Sequence, residues 1–539
     1  MGILSAEAAP HLDAYESADV WKSDPGAQLS RYRNYLERAK IERQMAEGKK
    51  ETKAIEGTGT GEEKETSEEV RFILKDLSID LSVVLSPVEL AAVKERYMGK
   101  EVSLSDLYRI TEDINDLYRK KGYLTCRAFL PPQTIHEGKV EIRLVEGKTG
   151  TVSIEGNNHT REDYVRRQLS LKEGTIENTD DLNREVYRFN GMNNAQMRIS
   201  MKAGKEPGTT DYVIRLYEPE KNRFFTVYAD NGGTRNTNIY RQGLFYTNRS
   251  VFGLRDELSL AYLRSQGMDS FSAGYGIHIG HHGTKLDFDY STNATEIVNG
   301  VLEPVGVKGH SNLYGLTIRQ PIRVDEKRKL EGGIRFQHLS SETTIGGIHW
   351  IDDSTNKVTP YLALTNYGNT SILYQKHSFD FGDWKNIDGQ SERFGIYHMN
   401  FLYQKRYDGG QMLQARFDGQ MTSEDYLPSS ERFYIGGAYS VRGYEESFLS
   451  GDKGYAASVE YSVPLDRHRY LSAFTFFDYG QVFGESAFDD YTLAGTGVGL
   501  RVGYKESYGS LTLGVPLRRE LNGEKVSKTR IHFTFSTSF

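Results

Sequence analysis

The sequence predicts two small α+β domains followed by a transmembrane antiparallel β-barrel of about 16 strands, with a helix near the N-terminus. Three observations lead to this fold class. After about residue 224, apolar and polar residues alternate with a period of two, as they do in strands. Tyr is numerous at 35, Gly abundant at 54 and Pro scarce at 13, which suits long paired strands. No run approaches the roughly 18 consecutive apolar residues of a transmembrane helix.

The barrel is predicted over residues 221–539. Near its start, Phe288 and Tyr290 alternate with Asp287 and Asp289. Carboxylates on one face require water there, so the aromatic face is expected to meet lipid. A soluble sandwich is the alternative that the pattern alone leaves open. Length favours the barrel, because the roughly 316 residues from 224 onward supply about 16 strands at about 20 residues per strand and connection.

Residues 1–48 contain a predicted helix at about 25–47. Asp24 is suited to the N-cap and Pro25 to the first helical position. The apolar stripe is thin and consists of Leu29, Tyr32, Leu36 and Ala39. Such a helix either frays in solvent or lies in a polar pore. Residues 49–69 are mostly Gly, Thr, Glu and Lys, which predicts a flexible linker.

Two α+β domains are predicted at residues 70–147 and 148–220, each with the element order βααββ. In the first, Ser86 and Glu89 form a capping-box pattern at the start of a helix. Each domain has about 70 residues, which is small for a self-sufficient core. Packing of each domain against a neighbour is therefore expected.

Two motifs in the barrel region suggest a specific contact. A glycine-rich loop ends in Val441, Arg442, Gly443 and Tyr444. A later strand carries Asp478 on the face opposite its aromatic neighbours. An arginine on an inward-folded loop and an aspartate on the lumen wall would form a charge-assisted pair shielded from bulk water. Taken alone, a solvated loop arginine and an unrelated lumen acid fit as well.

These motifs resemble those of the superfamily that includes the barrel-assembly insertase and related secretion proteins. The resemblance is carried by Val-Arg-Gly-Tyr at 441–444, by the spaced residues Phe476, Asp478 and Gly480, and by the aromatic last strand with Phe533, Phe535 and Phe539. It implies that the arginine loop reaches into the barrel, so that Arg442 contacts Asp478. It also implies that the terminal aromatic residues are an assembly signal for the barrel-assembly machinery.

The first α+β domain resembles a POTRA domain of the two-partner-secretion (type V) transporters, the TpsB family that exports haemolysins, filamentous haemagglutinin or contact-dependent inhibition toxins. The motif residues are Gly122, Tyr123, Pro131 and Gln133. The resemblance implies two periplasmic POTRA domains and a barrel in the outer membrane of a Gram-negative bacterium, with an N-terminal helix that plugs the lumen and gates an ion-conducting channel.

The implied partners are a secreted exoprotein with an N-terminal secretion domain, the outer-membrane lipid bilayer, and the barrel-assembly machinery. The exoprotein would be recognised unfolded and passed outward without ATP. A barrel-insertion or assembly factor of the same superfamily is the alternative function, and it shares the Arg442 and Asp478 motif.

An enzyme is not expected. The sequence contains no G-x-S-x-G, H-E-x-x-H or phosphate-binding loop, and no Cys/His spacing suited to a metal, so no catalytic residue, cofactor or metal ligand is predicted. His281 and His282 would point to opposite faces of a strand. The net charge of -7 argues against a nucleic-acid partner. The single cysteine, Cys126, rules out an intrachain disulfide.

Overall fold

The computed structural model describes residues 23–46, 55–57, 70–484, 491–521 and 524–539. It divides into two compact units. One lies within Glu51–Pro219, and the other combines the N-terminal segment with Glu220–Phe539. Among the described residues, no helix has both the length and the apolar character that a membrane-crossing helix requires.

The first described elements are helix α1, Pro25–Ala46, and the short strand β1, Ile55–Gly57. The first α+β domain contains β2 (Phe72–Ile73), β3 (Asp76–Ile79), α2 (Pro87–Tyr97), β4 (Glu101–Val102), α3 (Leu104–Lys120), β5 (Cys126–Phe129) and β6 (Lys139–Glu146). The second contains β7 (Lys148–Glu155), α4 (Glu162–Arg167), α5 (Thr179–Met192), β8 (Gln196–Ala203) and β9 (Thr209–Tyr217).

The first domain has two small sheets. Strand β6 lies between β3 and β5, and the extra pair β2–β4 was not predicted. The predicted capping box is present, because Ser86 accepts from the Glu89 N–H and Glu89 accepts from the Ser86 N–H. The apolar face of α3, with Leu107, Ile110 and Ile114, is fully buried in the domain core.

The second domain has one four-stranded sheet in the order β1-β8-β9-β7. Its outer strand β1 comes from the segment 49–69, which was predicted to be a flexible linker. That prediction is wrong for Ile55–Gly57, which pairs in parallel with Ile199–Met201 of β8. Backbone pairing with an open sheet edge needs little apolar side-chain area, so composition did not reveal it. The rest of the predicted linker lies outside the described residues.

The remaining chain forms a closed antiparallel barrel of 16 strands, which confirms the predicted architecture. Its strands are β10 (Arg223–Asp230), β11 (Arg241–Asn248), β12 (Glu257–Ser265), β13 (Met268–Ile279), β14 (Thr284–Glu296), β15 (Val307–Val324), β16 (Arg328–Ile345), β17 (Ile348–Tyr367), β18 (Ser371–Lys385), β19 (Ser391–Arg406), β20 (Met412–Thr422), β23 (Lys453–Pro464), β24 (Leu471–Phe483), β25 (Tyr491–Tyr504), β26 (Ser507–Pro516) and β29 (Arg530–Ser538).

Two short hairpins lie in the connections between barrel strands. They are β21 (Phe433–Ile435) with β22 (Leu449–Gly451), and β27 (Glu520–Leu521) with β28 (Glu524–Lys525). The long connection from Thr422 to Lys453 carries the first hairpin and the predicted arginine loop. It joins the same end of the barrel as the β10–β11 connection, which is the end away from the point where the chain enters the barrel at Arg223.

The two faces of the barrel wall differ as predicted. On β14, Phe288 is 48% exposed and points outward. Its neighbour Asp289 points inward, where both carboxylate oxygens lie 2.7 Å from the guanidinium of Arg335. The wall is therefore apolar outside and charged inside, as a barrel with a polar lumen in a membrane requires.

Candidate functional site: the occupied barrel lumen

Helix α1 lies inside the barrel. Its N-cap is Asp24, whose carboxylate accepts the Ala27 N–H at 2.9 Å. The same carboxylate also accepts hydrogen bonds from the Ser341 and Ser429 hydroxyls, each at 2.7 Å. One hydroxyl belongs to the wall strand β16 and the other to the long connection. The N-terminus of the helix is therefore fixed at the barrel end that carries this connection.

Apolar residues near both ends of α1 are buried against the wall. Leu29 packs with Leu313 and Leu339. Near the other end of the helix, Met45 packs with Ile372 and Leu402, which lie near the opposite end of the barrel. A helix of 22 residues is about 33 Å long, so α1 follows the lumen over most of its length.

The polar residues of α1 pair with the charged wall. The Arg33 guanidinium donates to the Gln337 amide oxygen at 2.6 Å, and the Glu37 carboxylate lies 3.5 Å from the Lys376 ammonium. Arg38 forms an ion pair with Asp418. These contacts place the helix in the polar pore rather than in solvent. They also explain why a helix with so few apolar residues is ordered there.

Arg442 and Asp478 form the centre of a buried charge cluster on the wall. The Arg442 Nε and Nη2 atoms lie 2.7 and 2.8 Å from the two carboxylate oxygens of Asp478, and the Arg442 backbone N–H donates to the same carboxylate at 3.0 Å. Nη1 donates to Glu460 at 2.8 Å. Asp478 is 0% exposed and Arg442 is 6% exposed. The bidentate geometry fixes the loop in one position.

An aromatic ring and a hydroxyl complete this cluster. The Arg442 guanidinium carbon lies 3.4 Å from the centroid of the Phe476 ring, a cation–π contact. The Ser458 hydroxyl donates to Asp478 at 2.6 Å. Phe476 and Asp478 of the second motif therefore both contact Arg442. The third motif residue, Gly480, lies next to the loop as well, because a Cβ at this position would be 2.9 Å from the Val441 side chain.

The loop is seated on wall positions that only glycine can occupy. A Cβ at Gly495 would lie 2.1 Å from the Arg442 carbonyl oxygen, and a Cβ at Gly514 would lie 2.5 Å from the Gly443 nitrogen. Gly443 itself has φ of +102°, a conformation that side chains disfavour. Tyr444 is fully buried, and its hydroxyl lies within 3.0 Å of the Ala494 carbonyl oxygen.

The loop and the helix touch each other. The rings of Tyr439 and Tyr35 have centroids 4.1 Å apart, and the Arg38 guanidinium donates to the Tyr439 carbonyl. The Arg31 guanidinium lies 4.5 Å from the centroid of the Tyr434 ring. Sequence reasoning missed Tyr439, because the loop motif alone does not show which of its residues faces the helix. It also missed Glu460, which lies on the wall and contacts Arg442 rather than the helix.

A second cluster holds the same connection to another part of the wall, at strands β17 and β18. The Lys357 ammonium lies 3.0 Å from Asp380 and 2.7 Å from Glu431, all three being buried or nearly so. Glu431 follows closely after Ser429, which bonds the helix N-cap. The connection is therefore anchored at two separate clusters. The sequence contained no motif that pointed to the Lys357 cluster.

Gly122 of the POTRA motif lies where the first α+β domain meets the second. Gly122 has φ of +81°, and its carbonyl accepts the N–H of Thr179 at 2.7 Å, at the start of helix α5 in the second domain. A Cβ there would lie 2.6 Å from Asp180. The Lys121 ammonium, 2.7 Å from Glu89, lowers the pKa of that carboxyl to about 2. The expected packing between the two small domains thus includes this turn.

The other residues of the POTRA motif make contacts within the first domain. The Gln133 amide pairs with the backbone of Glu141 through two hydrogen bonds, at 2.7 and 2.8 Å, in the manner of an additional strand residue. Pro131 lies in the same turn, where its carbonyl accepts from Gln133 at 3.3 Å. Tyr123 packs against the domain core.

The aromatic residues of the last strand line the outside of the barrel. Phe535 and Phe539 are 47% and 65% exposed, and Phe533 lies near the Tyr240 ring at 6.2 Å between centroids. Phe539 also takes part in the closure of the barrel, because the backbones of Phe225 and Phe539 exchange two hydrogen bonds of 3.3 and 2.8 Å.

No metal-binding cluster is found in the part of the chain that the structure describes, where no three His, Cys, Asp or Glu side chains are grouped to hold an ion. The rings of His281 and His282 have centroids 5.3 Å apart. Both residues lie in the turn between β13 and β14. The prediction that they lie on a strand is therefore wrong.

Comparison with known proteins identifies the family. Residues 208–502 match the family described as haemolysin secretion/activation protein ShlB/FhaC/HecB. The chain belongs to this family. Residues 72–147 match the ShlB-type POTRA domain, which covers the first α+β domain and not the second.

Individual relatives agree with this assignment. The heme/hemopexin transporter protein HuxB of Haemophilus influenzae is 25% identical over 472 residues, covering 80% of this chain and 81% of that protein. The solved structure of CdiB from Escherichia coli has a TM-score of 0.72 at 19% identity, covering 98% of this chain and 99% of that one. This likeness concerns the fold.

As a member of the ShlB/FhaC/HecB family, the protein is a two-partner-secretion transporter of the bacterial outer membrane with its POTRA domain in the periplasm. It acts with a secreted partner. The alternative function, barrel assembly, has only a distant match. The assembly factor BamA of Nitratidesulfovibrio vulgaris is 24% identical, and the match covers 51% of that protein.

Proposed function

We propose that this transporter is a gated channel in which helix α1 and the Arg442 loop together close the lumen until an unfolded exoprotein arrives. The supporting observation is that α1 is hydrogen-bonded at its N-terminus, packed against the wall at Met45 and paired with wall residues along its polar face. A polypeptide needs the same space, so the helix must leave before translocation. Folding of the exported chain outside the cell then biases its movement outward, and no ATP or catalytic step is needed.

The proposed partners are a secreted exoprotein, the lipid bilayer of the outer membrane and the barrel-assembly machinery. The exoprotein is recognised through its N-terminal secretion domain by the periplasmic α+β domains, the second of which is proposed to be a POTRA domain as well. The outward apolar face of the barrel contacts the lipid bilayer. The aromatic residues of the last strand, Phe533 and the exposed Phe535 and Phe539, form the signal that the barrel-assembly machinery reads.

The test of the gate is electrical. Deleting residues 1–48 should raise the conductance of single channels in planar bilayers, because the pore loses the helix that fills it. Unchanged conductance would exclude α1 as the plug. Deleting residues 70–147 should abolish secretion of an exoprotein encoded beside the transporter gene. The barrel should remain intact, as judged by its heat-dependent migration in gels, and normal secretion would refute a role of the first domain.

A further inference from the structure

Strands β16 and β17 form a hairpin that extends past the neighbouring strand β18. Strand β17 begins at Ile348, whereas its pairing with β18 begins only at Ser354, opposite Lys385. Strand β16 is paired up to Ile345 on both sides, with β15 and with β17. Among the described residues, the segment Ile348–Asp353 therefore has no strand beside it on the β18 side.

This open edge begins at the level of the plug. Asp353 lies opposite Ser341 of β16, and the Ser341 hydroxyl donates to the Asp24 N-cap of α1 at 2.7 Å. The β16–β17 connection joins the same end of the barrel as the long connection, which is the outer end because the chain enters the barrel from the periplasmic side. A polypeptide that leaves the lumen at this end therefore passes beside the open edge.

The outward face of the hairpin end is acidic. Because Ser341 and Asp353 face the lumen, the next residues, Glu342 and Asp352, face outward. These two acids lie directly opposite each other, and both are exposed. Charged side chains are disfavoured against lipid, so this end of the hairpin stands outside the bilayer. The six residues of the open edge span about 20 Å.

The open edge has the properties of a docking site for a strand. Every second residue directs its backbone N–H and C=O groups toward the missing neighbour, and such edges pair with extended chains. Ile351 is buried on the inner face, while Ile348 and the bulge residue Trp350 are 74% and 41% exposed near the tip. A strand added here would therefore meet apolar side chains.

The charges of the outer face define which strand fits best. Asp352 lies on the edge strand itself, with Glu342 directly behind it on β16. His349 lies 3.0 Å from Glu342 and contacts only one of these two acids. Basic side chains beside Asp352 would be complementary, because opposite charges on neighbouring strands attract. The preferred segment thus alternates apolar and basic residues.

We propose that the Ile348–Asp353 edge is a docking site for the exported protein outside the bilayer, where an extended segment that alternates apolar and basic residues adds to β17 as a strand. This inference rests on the proposed function, in which folding outside the cell biases export. Docking holds the emerging segment at the outer end of the lumen and opposes its return. A second copy of the transporter is a poorer occupant, because edge-to-edge pairing would bring two acidic outer faces together.

Cross-linking to a peptide tests docking on the full-length protein. In a Cys126→Ala background, Asp352→Cys places a thiol on the open edge. The matched control Glu342→Cys places one on the same face of β16, which has paired strands on both sides. Both positions are exposed, and both variants lose one carboxylate.

The probe is an octapeptide that alternates valine and lysine, with one central lysine replaced by a cysteine that carries a thiopyridyl group. The protein thiolate attacks the peptide sulfur, a disulfide joins the two chains, and thiopyridone leaves. A docked strand lies about 5 Å from β17 and about 10 Å from β16, and only the shorter distance allows a disulfide. A second peptide with glutamate in place of lysine tests the preference for basic residues.

The lysine peptide should react at least 10-fold faster with the D352C variant than with the E342C variant, after each rate is divided by the rate with the small reagent dithiodipyridine. The glutamate peptide should show no such preference. Equal rates of the lysine peptide at the two positions, or the same preference with both peptides, would overturn the proposal. Disulfide-linked dimers that form faster with D352C than with E342C in the absence of peptide would also overturn it, because they would assign the edge to a second copy.

Secretion tests whether the exported protein is the occupant. Cells that carry the D352C variant should secrete the exoprotein encoded beside the transporter gene at least 5-fold more slowly once the lysine peptide is cross-linked to the edge. The control is the same variant capped with a methylthio group, which leaves the backbone of the edge open and should secrete normally. Unchanged secretion with the peptide in place would refute docking of the exported protein. If deletion of residues 1–48 still raises conductance in that case, the gated channel of the proposed function stands.

Discussion

Replacing Asp478 with asparagine should undock the arginine loop. The carboxylate accepts four hydrogen bonds, three from Arg442 and one from Ser458, at distances between 2.6 and 3.0 Å. Asparagine has nearly the same shape but no charge, and its amide N–H₂ group meets other donors. Breaking a buried ion pair of this kind costs about 3–5 kcal/mol. Even about 3 kcal/mol changes the ratio of docked to undocked loop on the order of 100-fold.

The assay is the reactivity of a Val441→Cys thiol with a maleimide. Val441 is 0% exposed, so labelling requires undocking, and Asp478→Asn should accelerate it on the order of 100-fold. The matched control is Asp269→Asn, which breaks an exposed pair with Arg264 at 3.5 Å. Because exposed pairs contribute about 0–1 kcal/mol, that variant should label nearly like the parent. A rate for Asp478→Asn within a factor of about 5 of the parent would refute the reasoning.

Three further predictions follow from packing, capping and burial. Gly495→Ala should raise the rate of maleimide labelling at Val441→Cys at least 10-fold, because the added Cβ would lie 2.1 Å from the Arg442 carbonyl oxygen of the loop. The control Gly503→Ala, which has open space around its Cβ, should leave the rate unchanged. Equal rates in the two variants would contradict the requirement for glycine beneath the loop. Asp24→Ala removes the N-cap of α1 and its hydrogen bonds with two serines, so the frequency of channel opening in planar bilayers should rise at least 10-fold. The control is Asn34→Ala at an exposed position of the helix. Equal opening frequencies in the two variants would contradict a role of Asp24 in holding the helix. Burial raises the pKa of the Cys126 thiol to about 11, so its alkylation at pH 8 should be at least 100-fold slower in the folded protein than in urea. Because an unfolded thiol ionises near pH 8.5, this group should lower the stability of the first domain as the pH rises from about 8.5 toward 11, and rapid alkylation of the folded protein would contradict its burial.

The barrel could be predicted from the sequence because each strand obeys a strong physical rule. Residues that face lipid must be apolar and those that face a wet lumen need not be, so the period of two appears in every strand. The number of strands could be predicted from the length of the region, because each strand and its connection take about 20 residues. The helix bounds were predicted within a residue, since Asp24 and Pro25 form a local start signal.

Contacts between distant segments could not be predicted in this way. The Lys357 cluster joins strands β17 and β18 to the long connection, and its members are ordinary charged residues in the sequence. The strand β1 was missed because its pairing depends on backbone groups, which every residue carries. The pair of Arg442 and Asp478 was indicated only by resemblance, since spacing alone left a solvated arginine equally acceptable.

The closure of the barrel constrains when the protein can fold. Strand β29 pairs with β26 on one side and with β10 on the other, and Phe539 bonds the backbone of Phe225. The residues that complete the ring are therefore synthesised after all the other strands of the barrel. Until they exist, β10 and β26 each have a bare edge that can pair with other chains. The barrel cannot close before β29 has been synthesised, so the polypeptide has to be kept from aggregating until this strand is available.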